Sequence, residues 1–227
     1  MRHELKQKPD FAALLITFDA AGEAIRTETS AMLARHPNIK METNLSGGIF
    51  AAAKRKLLGG ESLFMNTFTA TAPGQTLWLA PGPEGDIETM HVQPGWGIYM
   101  ASGAFLAAGT GVNLDTKWGG AKGFFSGAGL FLLKCEGDGP VFFSCYGGIH
   151  AVDIGPQGYV CVTGHILAFT AGLNYQVKGV GGLKSLLASG EGLVAQFNGQ
   201  GRLWMSTRKA NGLAAFVHPF RAVQRSN

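Results

Sequence analysis

The stretch LASGEGLVAQF (residues 187–197) decides the fold, because two similar stretches precede it in the same chain. They are LGGESLFMNTF (residues 58–68) and FSGAGLFLLKC (residues 125–135), and the glycines Gly60, Gly127 and Gly190 lie at nearly equal intervals. A glycine pair precedes each stretch and a second apolar run follows it. Similarity at a fixed interval indicates a chain built from stacked copies of one unit.

A second element recurs upstream of each glycine pair. It reads TETSAMLA (residues 27–34), YMASGAFLA (99–107) and VCVTGHILA (160–168), ending each time in Leu-Ala. Because separate elements recur in the same order, we predict three β units at residues 11–82, 83–147 and 148–212, followed by a C-terminal tail at 213–227. The three units are expected to form one compact body, since a unit this small cannot bury its apolar face alone.

The units are predicted to consist of strands. In GLFLLKCEGDGPVFFSCY (129–146), two β-rich runs flank an acidic, glycine-rich turn, which is typical of a hairpin. GLVAQFNGQGRLWMST (192–207) and ALLITFDAAGEAIRTET (13–29) show the same pattern. Helical periodicity is scarce, and FAAAKRKLL (50–58) is the best short candidate. The sequence therefore predicts an all-β chain with two-strand hairpins.

The composition limits the classes of protein that the chain can belong to. Of its 227 residues, 15% are charged and 34 are glycine, whereas about a quarter of residues are charged in an average protein. So few charges favour a subunit whose surface is partly covered by other copies. The net charge of +4 is too weak to indicate nucleic-acid binding without a concentrated basic patch.

Targeting signals and cysteine usage predict a soluble, cytoplasmic protein. Three cysteines make an odd number without framework spacing, which favours reduced thiols in a reducing compartment. The first ten residues, MRHELKQKPD, lack the apolar core of a signal peptide and the charge pattern of a transit peptide. Apolar runs long enough to span a bilayer, roughly 18 residues, are absent from the sequence.

The sequence resembles the altered-inheritance-of-mitochondria family from about residue 11 to 213. The resemblance is carried by five stretches taken together: GGIFAAAKRKLLGGESLFMNTFTA, PGWGIYMASGAFLAA, GLFLLKCEGDGPVFFSCYGGI, VTGHILAF and SGEGLVAQFNGQGRLWMSTR. The resemblance implies a fold like that of the tryptophan RNA-binding attenuation protein (TRAP). In that TRAP-like fold, each chain has three tandem short double-stranded β-helix units with pseudo-threefold symmetry.

The same resemblance carries expectations about assembly and function. It implies a homotrimer whose nine units close a ring. Mitochondrial members of the family are tied to inner-membrane organisation, and bacterial members lack an assigned activity. The family has no defined catalytic residues, so none can be transferred to positions of this sequence.

Cys145, His150, Cys161 and His165 form the most tempting candidate metal site. Two cysteines and two histidines are ligand types that Zn²⁺ prefers, but their spacing fits no standard zinc finger. Comparison among the repeats aligns Cys161 with Met100 and His165 with Ala104, which are ordinary strand residues. We therefore predict no metal site, and we single out His165 as a polar residue of possible functional importance, with a structural hydrogen bond as its preferred role.

Lys54, Arg55 and Lys56 form the one dense basic run and are a candidate contact for an anion or for lipid headgroups. A solvated turn or short helix is the alternative for this run. The aromatic residues Trp78, Phe142 and Trp204 occupy matching positions in the three units, which favours core packing over a base-stacking platform.

We expect a non-catalytic scaffold or interaction protein without cofactors. Acidic residues lie mostly in turn-like contexts, and paired carboxylates or a nucleophile elbow are not recognisable. The expected partners are other copies of the chain, with a further protein or a membrane surface as possible additional partners. The alternatives are a ring that binds RNA or a small ligand, by analogy with the attenuation protein, and, as the least favoured, a hydrolase or metal-dependent enzyme.

Overall fold

The computed structural model describes residues 1–45, 64–115, 132–179 and 193–221. These ranges form nineteen β-strands and one α-helix, so the predicted all-β class is confirmed. The strands are β1 (Arg2–Lys6), β2 (Ala13–Thr17), β3 (Ala24–Glu28), β4 (Met32–Arg35), β5 (Lys40–Leu45), β6 (Phe64–Thr69), β7 (Thr76–Leu79), β8 (Ile87–Val92), β9 (Ile98–Ala101), β10 (Phe105–Gly109), β11 (Val112–Asp115), β12 (Leu132–Gly137), β13 (Gly139–Ser144), β14 (Ile149–Ile154), β15 (Tyr159–Val162), β16 (Ile166–Thr170), β17 (Asn174–Gly179), β18 (Leu193–Asn198) and β19 (Gly201–Ser206). Helix α1 spans Ala210–Val217, and 3₁₀ turns span Ser102–Ala104, Thr163–His165 and His218–Phe220.

The strands form four sheets with antiparallel pairing. The first sheet has the order β1-β2-β7-β4, and the second has the order β5-β6-β3-β10-β13-β8. The third sheet has the order β11-β12-β9-β16-β19-β14, and the fourth is the three-stranded sheet β15-β18-β17. Shared apolar cores place the two six-stranded sheets between the two smaller ones.

An apolar core lies between each pair of successive sheets. The first core contains Leu14 of the first sheet and Phe142 of the second, and the next contains Phe143 of the second sheet and Trp204 of the third. Phe169 of the third sheet packs with residues of the fourth. The central strands β10 and β16 of the two middle sheets are consequently buried on both faces, and all five residues of each are buried. This explains why those strands are apolar without alternation.

Strand pairing follows one order in three successive groups of six strands, β2–β7, β8–β13 and β14–β19. In each group the first and third strands pair with the sixth, and the second and fourth strands pair with the fifth. Two further pairings join the groups, β3 with β10 and β9 with β16. The second strand of one group thus pairs with the third strand of the next.

The predicted hairpins are wrong, although the strands within them are correct. β12 pairs with β11 and β9, whereas β13, which follows after Asp138, pairs with β10 and β8 in another sheet. β18 and β19 also lie in different sheets, as do β2 and β3. A hairpin would leave both apolar runs in one sheet. Crossing to the facing sheet buries the two runs against each other, and positive φ angles at Gly137 and Gly139 permit the crossing.

The repeated Leu-Ala dipeptide marks a β-bulge. The register shifts between Met32 and Ala34 in β4, and it shifts at the corresponding places in β10 and β16. After each shift an alanine lies opposite an aromatic residue: Ala34 opposite Trp78, Ala107 opposite Phe142, and Ala168 opposite Trp204. In β10 and β16 both residues of the pair are buried, and a small side chain beside a large one keeps the cross-strand pair within the space between sheets. This gives the signature a packing role in those two strands.

The predicted packing role of the matching aromatic residues is confirmed for two of the three. Phe142 and Trp204 are buried, whereas Trp78 is only half-buried. Trp78 lies opposite β4, whose other edge has no neighbouring strand in the described ranges. Its residual exposure is therefore a property of the chain's end group. The reference glycines Gly60, Gly127 and Gly190 and the helix predicted at residues 50–58 lie outside the described residues.

We predict that Gly97→Ala lowers the free energy of unfolding by about 1–3 kcal/mol. Gly97 precedes β9, and a Cβ atom there would lie 2.6 Å from the carbonyl oxygen of Cys135 in the neighbouring strand. Backbone on both sides of the contact can move little because β9 is paired on both edges. Urea denaturation measures the difference. Gly155→Ala is the control, because its Cβ would meet nothing within 4 Å, and equal losses in both variants would contradict the packing argument.

Candidate functional site

Each described sheet ends in two edge strands, and two of these, β4 (Met32–Arg35) and β15 (Tyr159–Val162), lack a neighbour that the equivalent strands of the other groups have. We call β4 and β15 the open edges. Within the described ranges, β4 pairs only with β7, and β15 pairs only with β18. The strands equivalent to β4 in the other groups are β10 and β16, and those equivalent to β15 are β3 and β9. Each of these four strands pairs on both sides. An open edge presents a row of backbone N–H and C=O groups to any strand that can approach.

The open edges are also unusually apolar. Leu33 is 63% exposed and Val160 is 58% exposed, and Met32 and Tyr159 beside them are exposed as well. The corresponding residues of β10 are completely buried. Natural edges are commonly protected from association by charged side chains, but β15 reads YVCV and has none. Exposed apolar strands of this kind are characteristic of surfaces that pair with another chain.

Arg35 is the one charged residue of β4, and its side chain does not protect the edge. Nη1 of Arg35 donates hydrogen bonds to the backbone oxygens of His36, Pro37 and Ile39, at 3.2, 3.0 and 2.8 Å. The guanidinium therefore stabilises the turn that follows β4. It leaves the edge itself accessible.

His165 lies in the 3₁₀ turn that precedes β16, where it is half-buried. Its Nδ1–H donates to the backbone oxygen of Ser206 at 2.7 Å, which assigns the proton to Nδ1. In return, Oγ of Ser206 donates to the backbone oxygen of His165 at 3.4 Å. The imidazole thus links the start of β16 to the end of β19, and this geometry supports a structural hydrogen bond.

The structure does not bring the candidate metal ligands together. Among the described residues, no group of three or more His, Cys, Asp or Glu side chains could hold a metal ion. Sγ of Cys145 donates to the backbone oxygen of Gly147 at 3.2 Å, and Sγ of Cys161 donates to that of Val162 at 3.4 Å. His150 is exposed in β14. Each side chain follows its own strand, so closeness in sequence does not produce a site.

The three cysteines are buried free thiols. Burial raises the pKa of Cys135 to about 12 and the pKa values of Cys145 and Cys161 to about 11. The thiolate is the nucleophilic and metal-binding form of cysteine. At neutral pH these side chains therefore act as small apolar groups of the cores.

The acidic residue Asp86 is buried, although the sequence places most acidic residues in turn-like contexts. It is 4% exposed, its Oδ1 accepts a hydrogen bond from the Ile87 backbone N–H at 2.8 Å, and Nζ of Lys8 lies 3.3 Å away. Asp138 and Asp153, by contrast, have side chains that are largely exposed. The buried carboxylate is paired with a cation from the N-terminal segment, which gives it a structural role.

A groove of about 380 Å³ opens near the chain's last strand. It lies between the ends of β13 and β19 and the 3₁₀ turns that precede β10 and β16, and Arg208 and Lys209 contribute its cations. The described residues that line it include no carboxylate. Its size is within the range of small-molecule sites, and its charge suits an anion. The basic run Lys54, Arg55 and Lys56 lies outside the described residues.

Sequence reasoning missed helix α1, which was assigned to a tail. Residues 213–220 contain apolar side chains at Leu213, Phe216, Val217 and Phe220, which is the spacing of one helical face. The signal was present but short. The described residues contain no helix that is both long and apolar enough to cross a membrane.

We predict that the three thiols of the folded chain react slowly with Ellman's reagent at pH 8. With a pKa of about 11 for Cys145 and Cys161, the thiolate fraction is about one in a thousand at that pH, against about one in four for an unperturbed cysteine. The rate should be at least about a hundredfold below that of glutathione and should rise toward pH 10. Guanidinium-unfolded chain, in which all three should react fully and fast, is the control. A rapidly reacting thiol in the folded chain would contradict the assigned burial.

Comparison with known proteins identifies related chains. The chain is 24% identical over 216 residues to an uncharacterized protein of Streptococcus pyogenes serotype M6, covering 91% of this chain and 86% of that protein. It is similar to the X-ray crystal structure of a Streptococcus pyogenes protein, with a TM-score of 0.78, 22% identity, and coverage of 97% of this chain and 99% of that one. At this identity the structural likeness shows a shared fold.

A family profile settles the relationship that the sequence motifs indicated. The family described as mitochondrial biogenesis AIM24 matches residues 3–208, which is nearly the whole chain. The match includes all three groups of six strands and both open edges. The chain therefore belongs to the mitochondrial biogenesis AIM24 family.

Proposed function

We propose that the protein is a self-associating, non-catalytic scaffold whose chains join through the two open edges into a homotrimeric ring. The observation that carries this proposal is the incompleteness of the outer sheets. β17-β18-β15 contains the fourth, fifth and second strands of the last group, and β4-β7-β2 contains the third, sixth and first strands of the first group. Placed edge to edge, they form the same six-strand order that occurs twice within the chain.

The internal pairings also supply the register of the proposed contact. β10 pairs with β3 through Ala107 opposite Thr27, and β16 pairs with β9 through Ala168 opposite Met100. The same register between chains places Ala34 of one copy opposite Cys161 of the next. Arg35 then lies opposite Val160, and His36 lies opposite Tyr159.

This contact is head-to-tail, because each chain offers β4 on one side and β15 on the other. Repeated heterologous contacts close a ring when the rotation between copies fits, and they extend into a filament when it does not. Three chains with three units each would give nine units. Burial of Leu33 and Val160 would supply about 1.5–3 kcal/mol per fully buried apolar side chain.

The pairing order supports a finer description of the fold within this proposal. Three groups with the same strand connections are what three tandem short double-stranded β-helix units, as in the attenuation protein, would produce. The predicted boundaries at residues 82, 147 and 212 fall between β7 and β8, between β13 and β14, and within α1. The bulges at matching positions in β4, β10 and β16 support the same pseudo-threefold relation.

A scaffold role is supported by the chemistry of the described side chains. The thiols are protonated at neutral pH, His165 is engaged with Ser206, and Asp86 is engaged with Lys8. A ring could present each surface feature in several copies and so organise partner proteins or a membrane surface. The cytoplasmic location expected from the sequence remains a prediction.

Disulfide trapping tests the proposed register. In the double variant Arg35→Cys with Val160→Cys, the two cysteines of adjacent copies lie opposite each other, within reach of a disulfide. Mild oxidation should give a covalent ladder on a non-reducing gel that ends at three chains. The native thiols will interfere little, because they are buried and protonated.

Leu33→Cys with Val160→Cys is the matched control, since its cysteines would be about two residues out of register, beyond disulfide distance. Equal ladders in both double variants, or no ladder in a solution where light scattering shows a trimer, would reject the register. A monomeric mass for the wild-type chain would reject the ring itself. The single variant Arg35→Cys measures any loss of stability that comes from removing the hydrogen bonds between Arg35 and the turn after β4.

A second candidate function is binding of RNA or a small anionic ligand. It is favoured by the groove with Arg208 and Lys209 and no described carboxylate lining. Phosphate contacts make nucleic-acid affinity fall steeply with salt. Titration with a mixed-sequence RNA at two salt concentrations tests the RNA form of this candidate: a Kd that rises at least about tenfold between 50 and 200 mM salt supports it, and absence of binding at the lower salt concentration rejects it.

A further inference from the structure

Helix α1 and the 3₁₀ turn that follows it present an apolar face to solvent. Phe220 is 77% exposed, Phe216 is 69% exposed, and Leu213 and Val217 are also exposed. The rings of Phe216 and Phe220 lie 5.9 Å apart between centroids. None of the helix residues is buried. We call these four side chains the C-terminal apolar stripe.

The stripe is a single face of an amphipathic segment. At about 100° per residue, positions 213, 216 and 217 of α1 cover an arc of roughly 100°, and Phe220 of the following 3₁₀ turn lies beside Phe216. Asn211 and Ala215 lie on the opposite side of α1. Such a narrow, continuous face differs from the scattered apolar residues that are normal on protein surfaces.

The helix lacks an internal source of stability. It has eight residues, below the roughly 12–15 at which isolated helices persist in water. It includes Gly212, and no side chain caps its start. Its stripe does not belong to any of the three cores. Most helix stability in proteins comes from packing of an apolar face, so an apolar environment other than these three cores would stabilise the helix.

The charged residues next to the helix indicate what kind of surface the stripe contacts. After Glu191 the sequence contains no Asp or Glu, whereas Arg208 and Lys209 precede the helix and Arg221 follows it. In the described part of the chain, these three cations form no ion pair with an acidic side chain. Cations at both ends of an apolar stripe fit a surface that is negatively charged outside and apolar beneath.

We propose that α1 and the following 3₁₀ turn dock onto an anionic lipid surface, with the C-terminal apolar stripe in the acyl boundary and Arg208, Lys209 and Arg221 at the phosphate headgroups. The helix lies in the plane of the interface, because two turns are far too short to cross a bilayer. Each chain carries the complete site, so the proposal does not depend on the ring. A ring would add avidity by presenting several helices.

Vesicle flotation with the full chain tests the proposal. We expect binding to vesicles of equal parts phosphatidylcholine and phosphatidylserine and at least tenfold weaker binding to phosphatidylcholine alone. Phe216→Ser with Phe220→Ser should weaken binding to the anionic vesicles at least tenfold. Asn211→Ser with Ala215→Ser is the matched control on the opposite side, and it should bind within about twofold of wild type.

The electrostatic part needs a separate pair of variants. Arg208→Gln with Arg221→Gln should weaken binding more than about tenfold, since each cation near an anionic surface contributes about fivefold. Lys40→Gln with Lys178→Gln removes the same charge from exposed positions on the sheets and should change binding little. Melting temperature confirms that every variant retains the β body, which does not use the stripe.

Several outcomes would overturn the proposal. Failure of the wild-type chain to bind anionic vesicles rejects it, and so does equal binding by the stripe variant or equal loss in both charge variants. If the stripe variant changes the mass of the protein in lipid-free solution, the occupant of the stripe is a second copy. The disulfide ladder is measured without lipid, so failure of the ring and failure of lipid docking are distinguishable.

Discussion

The architecture depends on one pairing, in which the second strand of one group joins the third strand of the next. This pairing occurs twice inside the chain, between β3 and β10 and between β9 and β16. It joins neighbouring groups into six-stranded sheets with apolar cores on both faces. Backbone hydrogen bonds of the central strands β10 and β16 are shielded from water, so an unpaired edge at those strands would be costly. A linear chain with three groups necessarily leaves one strand of each kind without its partner. These two strands are β4 in the first group and β15 in the last group, which are the open edges.

Exposure and chemistry divide the molecule in a consistent way. Among the described residues, the ionisable groups considered as candidates have structural partners: the thiols are buried in the cores, half-buried His165 bonds to Ser206, and buried Asp86 pairs with Lys8. The features that remain unsatisfied are instead surfaces, namely two apolar strand edges, a cationic groove and an apolar helix face. This distribution supports the proposed contacts with other copies of the chain and with a lipid surface. Its specificity would come from strand register at the edges and from charge at the helix.

The sequence anticipated some features of these surfaces better than others. Matching aromatic positions correctly indicated core packing for Phe142 and Trp204, because a residue repeated at one strand position meets a repeated environment. Hairpins were wrongly inferred from β12–β13 and β18–β19, because a glycine-rich turn between two apolar runs has the same composition whether the chain folds back or crosses to another sheet. The Cys145–His165 cluster looked like a metal site only because distance along a chain says little about distance between strands.

By itself the sequence determined the all-β class, the family, and the recurrence of its elements, since apolar periodicity and repeated motifs are local properties that survive in one dimension. Only the tertiary structure decided which strands are neighbours, that the Leu-Ala dipeptides are bulges opposite aromatic side chains, and that β4 and β15 lack the second neighbour that their counterparts have. It also decided that the C-terminal apolar stripe belongs to none of the three apolar cores. Pairing and burial arise between segments distant in the chain, where hydrophobic contact among sheets, and not local pattern, selects the arrangement.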